Sequence, residues 1–268
     1  MINAGRFNLL GIQIAAVDYD GALKEIVSAA HERRAFGVSA LAVHGVMTGF
    51  LDPTHRFRLN ELEMIVPDGQ PVRWGLNLLH AVNLKDRVYG PVLMLKTCQQ
   101  AAQEGIPIFL FGGNVDVLDR LSNRLTSLFP NLQIAGRRPS KFRTMELEEK
   151  QELIQEIVAS GAGITFVGLG CPRQEVWTFE FRTHLSMPVL AVGAAFNFHA
   201  GLLSQAPPRM QAMGLEWLYR LAKEPTRLWK RYLMLNPLYV TMLFLQWTGL
   251  RRFSPSDSVA PTSEILYG

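Results

Sequence analysis

Between Phe36 and Phe196, short runs of apolar and β-branched residues alternate with longer stretches whose apolar positions recur at helical spacing. The short runs at 38–43, 64–66, 107–111, 132–135, 164–167 and 189–192 read as strands, and the stretches at 90–104, 115–128, 145–160 and 173–184 read as helices. This alternation builds a mostly parallel sheet with helices on both faces, a Rossmann-like α/β fold. Several of the strands run straight into turns: Pro67-Asp68-Gly69, Gly112-Gly113-Asn114, Gly168-Leu169-Gly170 and Gly193. Ligands of open α/β sheets sit beyond the carboxyl ends of the strands, so these turns are expected to share one crevice.

After Gly201 the pattern changes to helices rich in Trp, Tyr, Arg and Lys, running through Trp217, Arg220, Arg227, Trp229, Arg231 and Tyr232. The chain therefore divides into an α/β domain over 1–203, a basic and aromatic helical appendage over 204–250, and a polar tail over 251–268 that is expected to be disordered. Glu224-Pro225 begins a new helix rather than continuing one, which interrupts the face shared by Arg220, Arg227 and Arg231. The stretch 236–250 is strongly apolar but shorter than the roughly 20 residues a spanning helix needs, and Gln246 and Thr248 break it. It is expected to lie on a membrane or pack on the core.

Composition narrows the classes further. At 268 residues and 48% hydrophobic content the chain can bury a full core. Its two cysteines, Cys98 and Cys171, belong to no metal-spaced cluster, so a reducing compartment and no metal are expected. The first ten residues lack a secretory pattern, consistent with a cytoplasmic protein. A net charge of +4 tolerates anionic partners. A basic aromatic surface suits nucleic acid as well as anionic lipid, and the apolar stretch that follows it favours lipid. No G-x-G-x-x-G fingerprint is present, which argues against a dinucleotide-dependent oxidoreductase, and no cofactor is expected.

Asp68 follows a strand and precedes a glycine, where a carboxylate can be both presented to the crevice and held by a turn. Arg87, with Tyr89 just behind it, stands at a loop-to-helix junction and suits a phosphate. The Gly112-Gly113 turn precedes a helix and could offer N–H groups to a diphosphate, and the glycines of Gly168-Leu169-Gly170 let the backbone approach a ligand. Pro172 can open the next helix, which puts Gln174 and Glu175 by the crevice. His44 and His199 are each an acid-base group or a packed histidine, the latter being the default for a lone His.

Read in order, Pro67-Asp68-Gly69-Gln70-Pro71-Val72, Arg87-Val88-Tyr89-Gly90-Pro91, Gly168 to Glu175, Val192-Gly193-Ala194-Ala195-Phe196 and Gly214 to Leu221 resemble the WecB/TagA/CpsF glycosyltransferases. The resemblance implies an inverting, metal-independent transfer from a UDP-sugar to a polyprenyl-diphosphate-linked sugar. The reaction belongs to bacterial cell-surface polysaccharide synthesis, at the inner face of the membrane. It implies Asp68 as general base, Arg87 as a contact for the donor diphosphate, and Gln174 in the sugar or nucleotide pocket. Around them His44, Gly69, Tyr89, Gly112, Gly113, Gly168, Gly170 and Glu175 are expected to bind substrate, with Arg220, Arg227 and Arg231 toward the membrane or acceptor diphosphate. Oligomeric assembly is left open. This chain departs from the family pattern at Ala42, where many relatives carry Asn, at Asn197, where many carry Asp, and at Arg209, where they often carry Trp. These departures frame an alternative: a non-catalytic, membrane-docked relative serving as a scaffold in a polysaccharide-synthesis complex.

Overall fold

A computed structural model describes the whole of residues 1–268. The chain opens with a hairpin that no alternation reveals: β1 (Asn3–Leu9) pairs antiparallel with β2 (Ile12–Val17) around Leu10 and Gly11. Both turn residues have positive φ, 54° and 86°, the hairpin backbone whose twist matches that of its strands. There follow α1 (Tyr19–His31), β3 (Phe36–Leu41), α2 (Val43–Leu51), α3 (Pro53–Asn60), β4 (Met64–Pro67), α4 (Gln70–His80), α5 (Gly90–Glu104) and β5 (Ile108–Gly112). Next come α6 (Val115–Leu128), β6 (Ile134–Arg138), α7 (Leu147–Ala159), β7 (Ile164–Gly168), α8 (Arg173–Phe181) and β8 (Pro188–Ala191). The chain continues through α9 (Ala195–His199), α10 (Pro208–Ala212), α11 (Glu216–Lys223) and α12 (Pro225–Trp247).

Strands β3 to β8 form one parallel sheet in the order β4-β3-β8-β7-β5-β6. Its two faces are read off the period of two along β5. Ile108 and Leu110 pack with Leu93, Met94, Leu118 and Leu121 of α5 and α6, whereas Phe109 and Phe111 pack with Leu153, Ile157, Trp177 and Phe181 of α7 and α8. Trp177 stacks between Phe111 and Phe181, with ring centroids 4.9 and 4.1 Å away. A third cluster joins Ile65 of the sheet, Val72 and Leu76 of α4, and the hairpin residues Leu9, Ile12 and Ile14.

Most expected elements are present, with shifted ends. The first sheet strand stops at Leu41 because Val43 already starts α2, and β6 starts at Ile134 because Leu132 is still closing a turn onto the Phe129 carbonyl. Pro225 does start a new helix, and α12 runs through the apolar stretch without a break.

One side of α12 belongs to the core. Tyr239, only 2% exposed, donates from Oη to the Pro71 carbonyl at 2.8 Å, which ties the helix to the turn that carries Asp68. Gln246, which interrupts the apolar run, accepts from the Leu10 N–H at 2.9 Å and donates to the Asn8 carbonyl at 3.2 Å. It supplies partners that the hairpin turn needs when α12 covers it. The outward side leaves Leu233, Met234, Val240, Phe244 and Trp247 exposed, and no helix is long and apolar enough to cross a membrane.

The tail after Ser254 corrects the expectation of disorder. Its polar composition conceals a set of specific partners: Glu180 accepts from the Ile265 and Leu266 N–H groups, Lys150 pairs with Glu264 at 2.6 Å, and Tyr267 bridges antiparallel to Thr144. Backbone pairing and the buried Glu180 carboxylate replace the apolar burial that a sequence pattern would have signalled.

Candidate functional site

The carboxyl ends of β3, β4, β7 and β8 bring together the turns that the sequence singled out. Asp68 leaves β4 with its N–H on the Leu41 carbonyl at 3.2 Å. Its Oδ1 accepts from the Gly90 N–H at 2.6 Å, at the N-terminus of α5, where backbone donors favour a carboxylate. Burial nevertheless pushes its pKa up to about 6; Arg87 pulls it down and Glu216 pushes it up further. Asp68 is thus poised to exchange a proton near neutral pH.

Glu216, at the start of α11, gathers the groups around it. Its Oε2 accepts from Arg87 Nη2 at 2.7 Å and its Oε1 from Tyr89 Oη at 3.0 Å, while Gln211 also accepts from Arg87 Nη2 at 2.9 Å. The Arg87 guanidinium lies 4.0 Å from the centroid of the Tyr89 ring. Burial works against the charge on Arg87, but Asp68 and Glu216 outweigh it and raise its pKa. The appendage is therefore latched to the α/β body through a nearly dry ion pair.

Two cavities meet at Asp68. One, of about 310 Å³, is walled by Trp217, Tyr232, Asn236, Tyr239 and Val240 of α11 and α12 and by the Gly69-Gln70-Pro71 turn. The other, of about 520 Å³, runs along the strand ends past Gly113, Gly168, Gly170, Gly193, Asn197 and Phe142. Ala42, His44, Asp68, Glu216, Arg220 and Arg231 line both. Gly69 and Arg87 face the first cavity; Tyr89, Gln174, Glu175 and Arg227 face the second.

Gly112 corrects the sequence reading, since it lines neither cavity. Its φ is +115°, and a Cβ there would meet the Gly168 backbone at 2.8 Å, so glycine serves the close approach of β5 and β7. Gln174 and Glu175 form a floor rather than a pair of exposed acids and amides. Glu175 is fully buried; its Oε1 accepts from Ser39 Oγ at 3.0 Å and from Gln174 Nε2 at 2.8 Å, and burial raises its pKa. Gln174 Oε1 in turn accepts from the Gly170 N–H at 3.2 Å, which sets the loop after β7. Pro172 sits at the N-cap of α8, one position before the first turn.

The histidines separate. His199 bonds through Nε2 to the Pro91 carbonyl at 2.9 Å and is a packed residue. His44 has its pKa lowered to about 3 by burial and by Arg231, His55 and Arg220, so it is neutral, and its Nδ1 has no partner. Its helix, α2, has Ala42 at the N-cap with no side-chain hydrogen bond, so its end groups stay open at the junction of the cavities. Arg231 is half-buried there with no carboxylate partner, and burial followed by repulsion from Arg220 and Arg227 opposes its charge. Arg227 is exposed and pairs with Glu224 at 2.7 Å.

His55, Cys171 and Glu175 have ligand atoms within 4.8 Å of one another, the composition of a metal site. Burial and the neighbouring Glu175 push the Cys171 thiol well up, and both His55 Nε2 and Glu175 Oε2 are buried without a hydrogen-bond partner.

A six-stranded parallel sheet flanked by helices, with C-terminal helices over its carboxyl edge, defines a Rossmann-like α/β protein with its crevice at the strand ends. The glycosyl transferase WecG/TagA/CpsF family model matches residues 7–253, and the chain belongs to that family. Its members are glycosyltransferases of cell-surface polysaccharide synthesis. Sequence reasoning had the family motif around Glu216 but not its role, and it missed Ser39, Gln211 and Phe142 entirely. An acidic residue opening a helix, as at Glu216, was the one available signal.

Proposed function

We propose that this chain transfers a sugar, with inversion and without a metal, from a UDP-sugar to a polyprenyl-diphosphate-linked sugar at the inner face of a bacterial membrane. The observation that carries the proposal is the meeting of two cavities at one carboxylate. The larger cavity, floored by glycine turns at the strand ends, takes the nucleotide donor. The smaller, bounded by α11 and α12, takes the acceptor. Asp68, in both, removes the proton from the acceptor hydroxyl as the new bond forms at the anomeric carbon, and a pKa of about 6 suits a base working near neutrality.

The departing UDP gathers negative charge that needs fixed positive partners. Arg220, Arg231 and the uncapped N-terminus of α2 converge at the junction, with Arg227 at the rim of the donor cavity. Arg87 faces the acceptor side and acts first on Asp68, whose ionised form it stabilises; this shifts its role from the donor-diphosphate contact that the family resemblance implies. Glu216 opposes it. Glu216→Gln is therefore expected to move the acid limb of the kcat/KM profile to lower pH, because loss of its charge lowers the pKa of Asp68. A limb that stays in place would separate Glu216 from the base.

Residues 204–250 form the membrane-associating appendage in this proposal. The exposed apolar side of α12 follows basic residues Arg220, Lys223, Arg227 and Lys230, a pairing that suits anionic headgroups above an apolar interface. Changing Leu233 and Met234 to Glu, both exposed and outside the core, is expected to release the protein from anionic vesicles in a sedimentation assay without lowering its melting temperature. Titration calorimetry of UDP and a panel of UDP-sugars, in chelator, tests the donor assignment. Binding of one sugar nucleotide above UDP supports it, and no binding of any overturns it.

A further inference from the structure

The donor cavity has an end that the chemistry at Asp68 does not use. There Phe142 stands on the loop between β6 and α7, half exposed, and lines the cavity together with Gly113, Asn114 and Gly170. Its φ is +53°, in the left-handed region that a bulky aromatic residue avoids. The surrounding structure holds it in place. Ser140 Oγ accepts from its N–H at 2.8 Å, Arg173 donates to its carbonyl at 3.2 Å, and Arg173 itself lies 5.3 Å from the centroid of the Tyr267 ring.

The polar tail completes the support. The Gly268 N–H donates to the Arg143 carbonyl at 2.8 Å and the Met145 N–H to the Leu266 carbonyl at 2.7 Å, so the Phe142 loop is paired on its far side by the chain's last residues. An exposed aromatic held in a strained backbone by partners on two sides is a device for presenting a ring face, since strain persists only where the surroundings over-determine it. Beside it Asn114 uses Oδ1 to cap α6 at the Val117 N–H and leaves its amide nitrogen without a partner in the chain, a free donor at the cavity end.

We infer that Phe142 is the stacking platform for the nucleobase of the donor, with the Asn114 amide offered to a base carbonyl and the Ile265–Gly268 segment as the brace of the platform. The inference rests on the nucleotide-donor reading above and adds where the base lies. Planar bases stack on aromatic faces with a contribution large enough to measure by truncation, while a phosphate or a sugar hydroxyl gains little from a phenyl ring.

The test is calorimetric titration of uridine monophosphate, UDP and inorganic pyrophosphate into the full-length chain and its Phe142→Ala and Phe142→Tyr variants. Phe142→Ala is expected to weaken both nucleotides by about tenfold or more and to leave pyrophosphate unchanged, and Phe142→Tyr to restore nucleotide affinity. Wild-type binding of UDP with an unaltered Phe142→Ala variant overturns the platform and leaves the donor reading standing. A Phe142→Ala variant that loses pyrophosphate to the same degree also overturns it, because the effect then does not act on the base. Wild-type binding of pyrophosphate without either nucleotide overturns the donor reading and the platform together.

Discussion

Replacing Asp68 by Asn is expected to reduce turnover by about a thousandfold while the folded protein becomes more stable above pH 6. The first effect is the removal of the proposed general base, a group whose contribution typically lies between about a hundredfold and ten-thousandfold. Asn keeps an oxygen that can accept from the Gly90 N–H, so the turn survives the change. The second effect follows from the environment of the carboxyl. Its folded pKa is about 6 against an ordinary 3.8, because burial disfavours the charge more than Arg87 and the Gly90 N–H favour it. Well below its ordinary pKa of 3.8 the group is protonated in both states and makes no difference. As pH rises from about 4 through 6 the unfolded chain ionises first, and the wild type loses stability, of the order of 3 kcal/mol, that the Asn variant retains. Thermal melts of the two proteins at pH 4 and pH 8 read this directly. Equal melting temperatures at both pH values would remove the raised pKa, and normal turnover would remove the base.

Arg231→Gln is expected to have the second largest effect, a loss of turnover of about a hundredfold or more with little or no cost in stability. Arg231 is a cation with no carboxylate partner, an unpaired Nε and two further arginines close enough to repel it. In a protein selected for stability alone such a cluster would be neutralised. Its complement in the proposed reaction is an anion that arrives with the substrate. Pyrophosphate is accordingly expected to raise the melting temperature of the wild type and not that of Arg231→Gln. A variant that melts well below the wild type and keeps its pyrophosphate response would make Arg231 a structural residue.

The sheet was legible in the sequence because most of its strands are buried on both faces and stand out as apolar runs between helical periods, the partly exposed edge strand β6 being the exception. The hairpin at the N-terminus was not, since Asn3 to Leu9 carries mixed polar residues and its pairing is set by a turn at Leu10-Gly11 rather than by composition. Asp68 was legible from the strand-Asp-Gly order, and its raised pKa was not, because that depends on Gly90, Arg87 and Glu216, which lie up to 148 positions away in the chain but converge in space. Gly112 invited a ligand reading, yet it answers the approach of two strands, whereas Gly168 lines the larger cavity and also leaves room for the Phe196 ring, which a Cβ would meet at 2.5 Å. Gln246 shows the same limit from the other side. It looked like a flaw in an apolar helix, and its reason lies in a turn 236 residues away.

A single displacement at the anomeric carbon is tested most directly by the stereochemistry of transfer. Purified protein, a UDP-sugar and a polyprenyl-diphosphate-linked sugar in vesicles with excess chelator are expected to give a product whose new linkage has the anomeric configuration opposite to that of the donor, read by NMR. Product with retained configuration, or turnover that appears only when a divalent metal is restored, would contradict a single displacement driven by Asp68.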